Sequence, residues 1–270
     1  MDPERFVHPL RFNDVDIQKR IPSSILQNLM ITACGSSISM QRLHSRNLVY
    51  PMRRASITLP MSSVEVDTTR IGNHFIEVSL TLLGKHGRHL LWKASFTLQD
   101  AKGHRNSDWF AQIIAVGTCI DLSSGERRDV PEWMMDVDPA WVPYLTQDSV
   151  RSSRNEPTWN EVADFTVPRW HADSIGHVTN GMYANYFWEY LFPLLPSVAS
   201  SGQEAVCLDI EFRRSILPGE RVQIMVSSGS ASERCSVLGS LLTHGKMCTL
   251  ARLRWIDLEE KPASSAVARL

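Results

Sequence analysis

The chain has 270 residues, with 28 Lys and Arg against 29 Asp and Glu and a net charge of −1. That length can bury one large core or two smaller ones. The balanced charge excludes a global field toward nucleic acid or an anionic membrane, and it favours a small or neutral partner.

Five cysteines (Cys34, Cys119, Cys207, Cys235, Cys248) are scattered and form no CxxC pair, so they read as reduced core thiols in an intracellular protein. No ligand pair stands at a recognised metal spacing, and nothing calls for a cofactor. The opening MDPERFVHPL lacks a basic region followed by an apolar one, which argues against a secretory signal. No stretch reaches the roughly 18 apolar residues of a membrane span. The expected location is cytoplasmic. The final Ala268-Arg269-Leu270 is of the small-basic-leucine type that would address a eukaryotic protein to the peroxisome.

In chain order, a polar loop with Asp14 and Asp16 runs through Pro22 into SILQNLMITA, an apolar helical stretch for which Ser23 or Ser24 is the expected N-cap. From 62 to 98 the alternation in SVEVDTT, HFIEVSLTLL and LLWKASFTL predicts half-buried antiparallel strands, with turns at IGN and GKHGRH. A further strand, WFAQIIAVGTCIDL, follows. The pattern then dissolves into a proline-bearing linker. Beyond it the order repeats: strand VADFTVPRW, polar loop HADSIGHVTN, helix GMYANYFWEYLFPLL, and strands at AVCLDIEF, ERVQIMVSS, CSVLGSLLTH and MCTLARLRWIDL.

The halves superpose. Residues 12–16 answer 169–173 at an offset of 157 (173 − 16), which sets Arg20 opposite His177 and Ser23 opposite Asn180. Downstream, VEVDTTRIGNHFIEV resembles VCLDIEFRRSILPGERVQIMV. We read an internal duplication of a unit of roughly 130 residues, too long for a solenoid repeat and right for two similar domains. The expected domains are 1–135, a linker over 136–160, 161–262, and a free tail over 263–270.

The polar loop and helix of the second half carry Asp173, Gly176-His177-Val178, Asn180 and Tyr183, spaced D-x-x-G-H-V-x-N-x-x-Y. This is similar to the DxNxHVNNxxY signature of acyl-ACP thioesterases and their 4-hydroxybenzoyl-CoA thioesterase-like relatives. The first half adds SILQNLMITA and TCIDLSSGERRDVPEW, and the resemblance covers nearly the whole chain. It implies an α+β tandem, or double, hotdog, with two antiparallel sheets each wrapped around a long central helix. It also implies an acyl thioester substrate on CoA or an acyl carrier protein, bound between the halves of a pseudo-dimer in one chain; the chain could pair further as a homodimer.

A helix N-terminus offers unpaired N–H groups and partial positive charge to a developing oxyanion. Asp173 and His177, four residues apart, are candidate catalytic groups, the carboxylate orienting the imidazole or acting on water itself. Thr179 and Asn180 are candidate caps and substrate contacts, with Tyr183, Arg20 and Ser215 as further binding candidates. The aromatic run from Tyr183 to Phe192 would line or back an apolar tunnel. Arg213, Arg214, Arg221, Arg53 and Arg54 are candidates for meeting the phosphates of CoA or the acidic face of a carrier.

Departures from the pattern are equally informative. The asparagine two before the histidine is replaced by Ile175, the acid after the paired basics by Ser215, and the first-half histidine by Arg20. Hydrolysis is therefore weighed against a repurposed dehydratase, isomerase or cyclase, and against a non-catalytic acyl-binding hotdog whose loop only caps the helix. No G-x-S-x-G supports a serine hydrolase.

Overall fold

The computed structural model describes residues 3–11, 14, 21–60, 73–105, 109–146, 158–173, 176–195, 204–228 and 236–257. The expected strand SVEVDTT, the site candidates Arg20 and Ile175, Cys235 and the C-terminal tripeptide lie outside these residues.

The first half contributes strands β1 (Glu4–Pro9), β2 (Leu48–Val49), β3 (Met52–Pro60), β4 (His74–His86), β5 (His89–Asp100), β6 (Ala111–Thr118) and β7 (Ile120–Asp121), with helices α1 (Ser23–Ser36) and α2 (Ile38–His44). A short helix α3 (Val142–Thr146) follows. The second half contributes β8 (Asn160–Thr166), α4 (Asn180–Leu191), β9 (Glu204–Phe212), β10 (Arg221–Ser228), β11 (Ser236–Thr243) and β12 (Lys246–Asp257).

Ten strands form one antiparallel sheet in the order β1-β4-β5-β6-β3-β9-β12-β11-β10-β8. Reading outward from the centre, each half repeats the same arrangement, so β3 answers β9, β4 answers β10, and β1 answers β8. The helices begin at Ser23 and Asn180, 157 residues apart (180 − 23). That matches the offset read from the loops. This is a double hotdog whose two sheets join edge to edge through β3 and β9.

The seam explains itself residue by residue. Alternation along β3 sends Ala55 and Ile57 inward with Leu208 and Ile210 of β9, all at 0 % exposure. It sends Ser56 and Asp209 to the other face, where α3 covers them. There Tyr144 bonds Ser56 Oγ at 2.9 Å, Ser56 bonds Asp209, and Arg254 Nε donates to Asp209 at 3.2 Å. A carboxylate buried this deeply requires such partners.

Three expectations are corrected. Strand β3, with its charged start and terminal proline, was not anticipated, and it is β3 that answers β9 in the sheet. Neither Ser23 nor Ser24 is the N-cap: α1 starts at Ser23, and Pro22 precedes it with φ −60° and no side-chain cap. The β4–β5 hairpin runs further than the alternation suggested, turning at Gly87-Arg88, where Gly87 has φ +56°.

The core lies between the sheet and the helices. Helix α4 buries Tyr183, Ala184, Tyr186, Phe187 and Leu191. Gly239 of β11 admits it closely, since a Cβ there would stand 2.8 Å from Leu191 Cδ1. Among the described residues no helix is long and apolar enough to cross a membrane.

Candidate active site

After β8 the chain passes through one turn of 3-10 helix at Arg169–His171 and enters the loop that leads to α4. The loop is a closed turn. Asp173 N–H donates to His177 C=O at 2.8 Å, Gly176 N–H to Asp173 C=O at 3.1 Å, and His177 N–H to Asp173 Oδ1 at 3.1 Å. Gly176 has φ +82°, a conformation that L side chains rarely adopt. Asp173 is exposed and His177 is half-buried.

Thr179 caps α4, its Oγ1 accepting from Met182 N–H at 3.4 Å, while Asn180 is the first helical residue and not the cap. The connection after β9 clamps the loop from beside. Val178 N–H donates to Ile216 C=O at 3.0 Å, and Ile216 N–H donates to the Tyr183 hydroxyl at 2.8 Å. Tyr183 thus holds two segments together through its oxygen. Ser215, beside Ile216, is exposed.

One group was missed in the sequence. His171 is 7 % exposed and shares a 2.5 Å hydrogen bond between its Nδ1 and the Tyr186 hydroxyl, with Phe165 edge-on to the same phenol. Burial holds His171 below its ordinary value and pushes Tyr183 and Tyr186 upward, so both phenols keep their protons. No spacing distinguished His171 from its neighbours. Its role follows from which helical turn faces it.

Tyr183, Tyr186 and Phe187 of the aromatic run are buried, and Trp188 stacks on Phe192 at 4.9 Å while staying half-buried. Across the seam, α4 meets α1: a Cβ on Gly181 would stand 2.8 Å from Ser24 C=O. The Ser24 N–H donates to Asn185 Oδ1 at 3.3 Å. The α4 N-terminus therefore abuts the other half of the molecule, as a site between two hotdogs requires.

The five candidate arginines separate clearly. Arg213 pairs with Glu211 at 3.0 Å, Arg214 with Glu220 at 3.6 Å, and Arg221 with Asp164 at 2.5 Å. Arg54 is buried and donates to Tyr144 C=O. Among the described residues Arg53 has no ion pair. Glu220, a carboxylate in the connection after β9, accepts Leu217 N–H at 2.8 Å and serves its own turn.

No protein-family model and no curated protein sequence matches the chain. Solved structures do. An acyl-ACP thioesterase from Bacteroides thetaiotaomicron matches with TM-score 0.63 and 13 % identity over 94 % of this chain and 98 % of that one. The 12:0-ACP thioesterase from Umbellularia californica matches with TM-score 0.57 and 14 % identity over 94 % and 97 %. A MaoC-like dehydratase from Phytophthora capsici matches with TM-score 0.51 and 10 % identity over 95 % and 96 %. These likenesses concern architecture, and together with the repeated strand order they identify the chain as a member of the double-hotdog fold that acyl-ACP thioesterases and MaoC-like dehydratases share.

Proposed function

We propose that the protein is an acyl-thioester hydrolase acting on a CoA- or carrier-bound acyl group, with His177 as general base and Asp173 as the residue that fixes its turn. The observation that carries this reading is the closed Asp173–His177 turn, which presents a half-buried imidazole directly before the α4 N-terminus at the contact between the halves. His177 takes a proton from water as the water oxygen attacks the thioester carbonyl carbon. The first-turn N–H groups of α4 stabilise the oxyanion. The C–S bond then breaks, the imidazolium returns the proton to the thiolate, and a carboxylic acid and a thiol leave. Thr179, Asn180 and Tyr183 position the substrate end of this arrangement, and Arg20 and Ser215 are proposed as further substrate contacts.

A second reading, a non-hydrolytic dehydratase, isomerase or cyclase, has its own support. The connection after β9 carries exposed Ser215 where hydrolytic relatives carry an acid, and its Glu220 is engaged in its own turn. A positioned histidine without a second catalytic acid suffices to move a proton.

Thioester cleavage followed with a thiol reagent over acyl-CoAs of several chain lengths separates the two. Cleavage that is lost in His177→Ala supports the hydrolase. Absence of cleavage in the wild type overturns it for CoA thioesters and favours the second reading.

A further inference from the structure

We propose that Arg53, Arg88 and Arg127, gathered around His89 and Thr118 at one rim of the sheet, form a binding site for a phosphate or diphosphate group of the thioester's carrier. The carrier assignment rests on the function proposed above, whereas the capacity to bind the anion does not.

Three arginine-bearing segments meet the end of β6 at this rim through backbone bonds. Thr118 N–H donates to Pro51 C=O at 3.1 Å, which brings in the segment of Arg53. Cys119 N–H donates to Arg88 C=O at 2.8 Å, and Arg128 N–H donates to Cys119 C=O at 3.1 Å, with Ile120 bridged to Arg127. His89 is the register partner of Thr118, and their side chains meet at 3.2 Å between Nδ1 and Oγ1. Backbone pairing thus brings a hydroxyl, an imidazole and three arginine positions to one rim.

Among the described residues Arg53, Arg88 and Arg127 make no ion pair, although Arg213, Arg214 and Arg221 along the same end of the sheet all do. Of the nearby acids, Glu126 faces Arg128 at 3.4 Å and Asp121 lies 3.8 Å from Arg128 while accepting Ser123 N–H at 2.9 Å, and Asp129, which acts on Cys119, offsets the arginines in part. His89 registers the field. Burial holds it below its ordinary value, and Arg53, Arg88, His86 and Arg127 each push it further down. Like charges gathered without an ion-pair partner repel one another, and a dianion relieves that repulsion while accepting bidentate guanidinium bonds.

Position links the rim to the candidate active site. Arg54, beside Arg53 at the start of β3, is the backbone register partner of Glu211 at the end of β9, just before the connection whose Ile216 clamps the His177 loop. Rim and loop therefore share one end of the sheet. Three interstrand steps separate β5 from β9, about 14 Å in all. That in-sheet separation lies within the reach of an extended pantetheine arm, which in this proposal would set its thioester at the α4 N-terminus and its phosphate at the rim.

The test is calorimetric binding of CoA, 3′-dephospho-CoA, 4′-phosphopantetheine and pantetheine to the wild type and to the double variant Arg88→Gln/Arg127→Gln. Both positions are exposed, and thermal unfolding checks that the variant folds. The wild type is expected to bind the phosphorylated ligands at least about tenfold more tightly than pantetheine, and the variant to lose that preference. Equal affinity of 4′-phosphopantetheine and CoA assigns the rim to the phosphate that CoA and a carrier protein have in common. Tighter binding of CoA assigns it to the nucleotide part. Wild-type binding of pantetheine as tight as that of CoA, or an undiminished preference in the variant, overturns the proposal. Binding is read without turnover, so a wild type that binds CoA but cleaves nothing overturns the hydrolase reading alone.

Discussion

Gly181 of α4 lies against Ser24 of α1 so closely that a Cβ on the glycine would stand 2.8 Å from the Ser24 carbonyl oxygen and 3.0 Å from its Cα. The obstacle is backbone, which cannot swing aside. Gly181→Ala gains up to about 1 kcal/mol in helix propensity but must push two central helices apart, at a cost of about 1–3 kcal/mol. A net loss of stability in urea unfolding is expected. Gly239→Ala, which meets the movable side chains of Leu191 and Phe187, should cost less.

Gln27 on α1 is fully buried, and neither polar atom of its amide has a hydrogen-bond partner among the described residues. An unsatisfied buried amide costs on the order of 1–3 kcal/mol. Gln27→Leu, close in volume, is expected to raise Tm in the ligand-free protein. An unchanged or lower Tm would show that the amide is satisfied in solution.

His171 supplies a pH prediction. Burial lowers its value in the folded protein below the 6.5 of an ordinary histidine, so the unfolded chain takes up the proton first as pH falls. The stability it contributes is present above 6.5 and is lost progressively below it. His89 acts in the same direction. The readout is therefore the difference between wild type and His171→Gln, which should show a shallower loss of stability from pH 7 downward.

For the candidate chemistry, His177→Ala is expected to lower turnover by roughly 10²–10⁴-fold, the usual contribution of a positioned base. Asp173→Asn should fall less. The amide oxygen of asparagine can still accept the His177 backbone N–H that closes the turn, so the turn is kept and the carboxylate charge is lost. Asp173→Ala, which removes the acceptor, should be the more damaging. Equal activity in all three variants would reduce the loop to a helix cap.

The duplication, the long strands and both central helices were legible in the chain because each rests on local periodicity. HFIEVSLTLL alternates with period two, and α1 and α4 start 157 residues apart (180 − 23), as their loops foretold. Strand β3 was hidden by Arg53, Arg54 and Pro60, residues that do not look like the centre of a sheet. Arg54 is tolerated because Tyr144 covers it from a segment 90 residues away.

Residue types and their spacing thus determined that a polar loop precedes an apolar helix in each half, since capping, turn geometry and amphipathic alternation act over a few residues. Only the tertiary structure decided which polar groups remain unpaired. Asp173 turned out to hold the His177 backbone, Arg213, Arg214 and Arg221 found carboxylates, and among the described residues Arg53, Arg88 and Arg127 did not. Charge pairing depends on which strand ends meet across the sheet, and strand pairing between distant segments leaves no trace in local sequence.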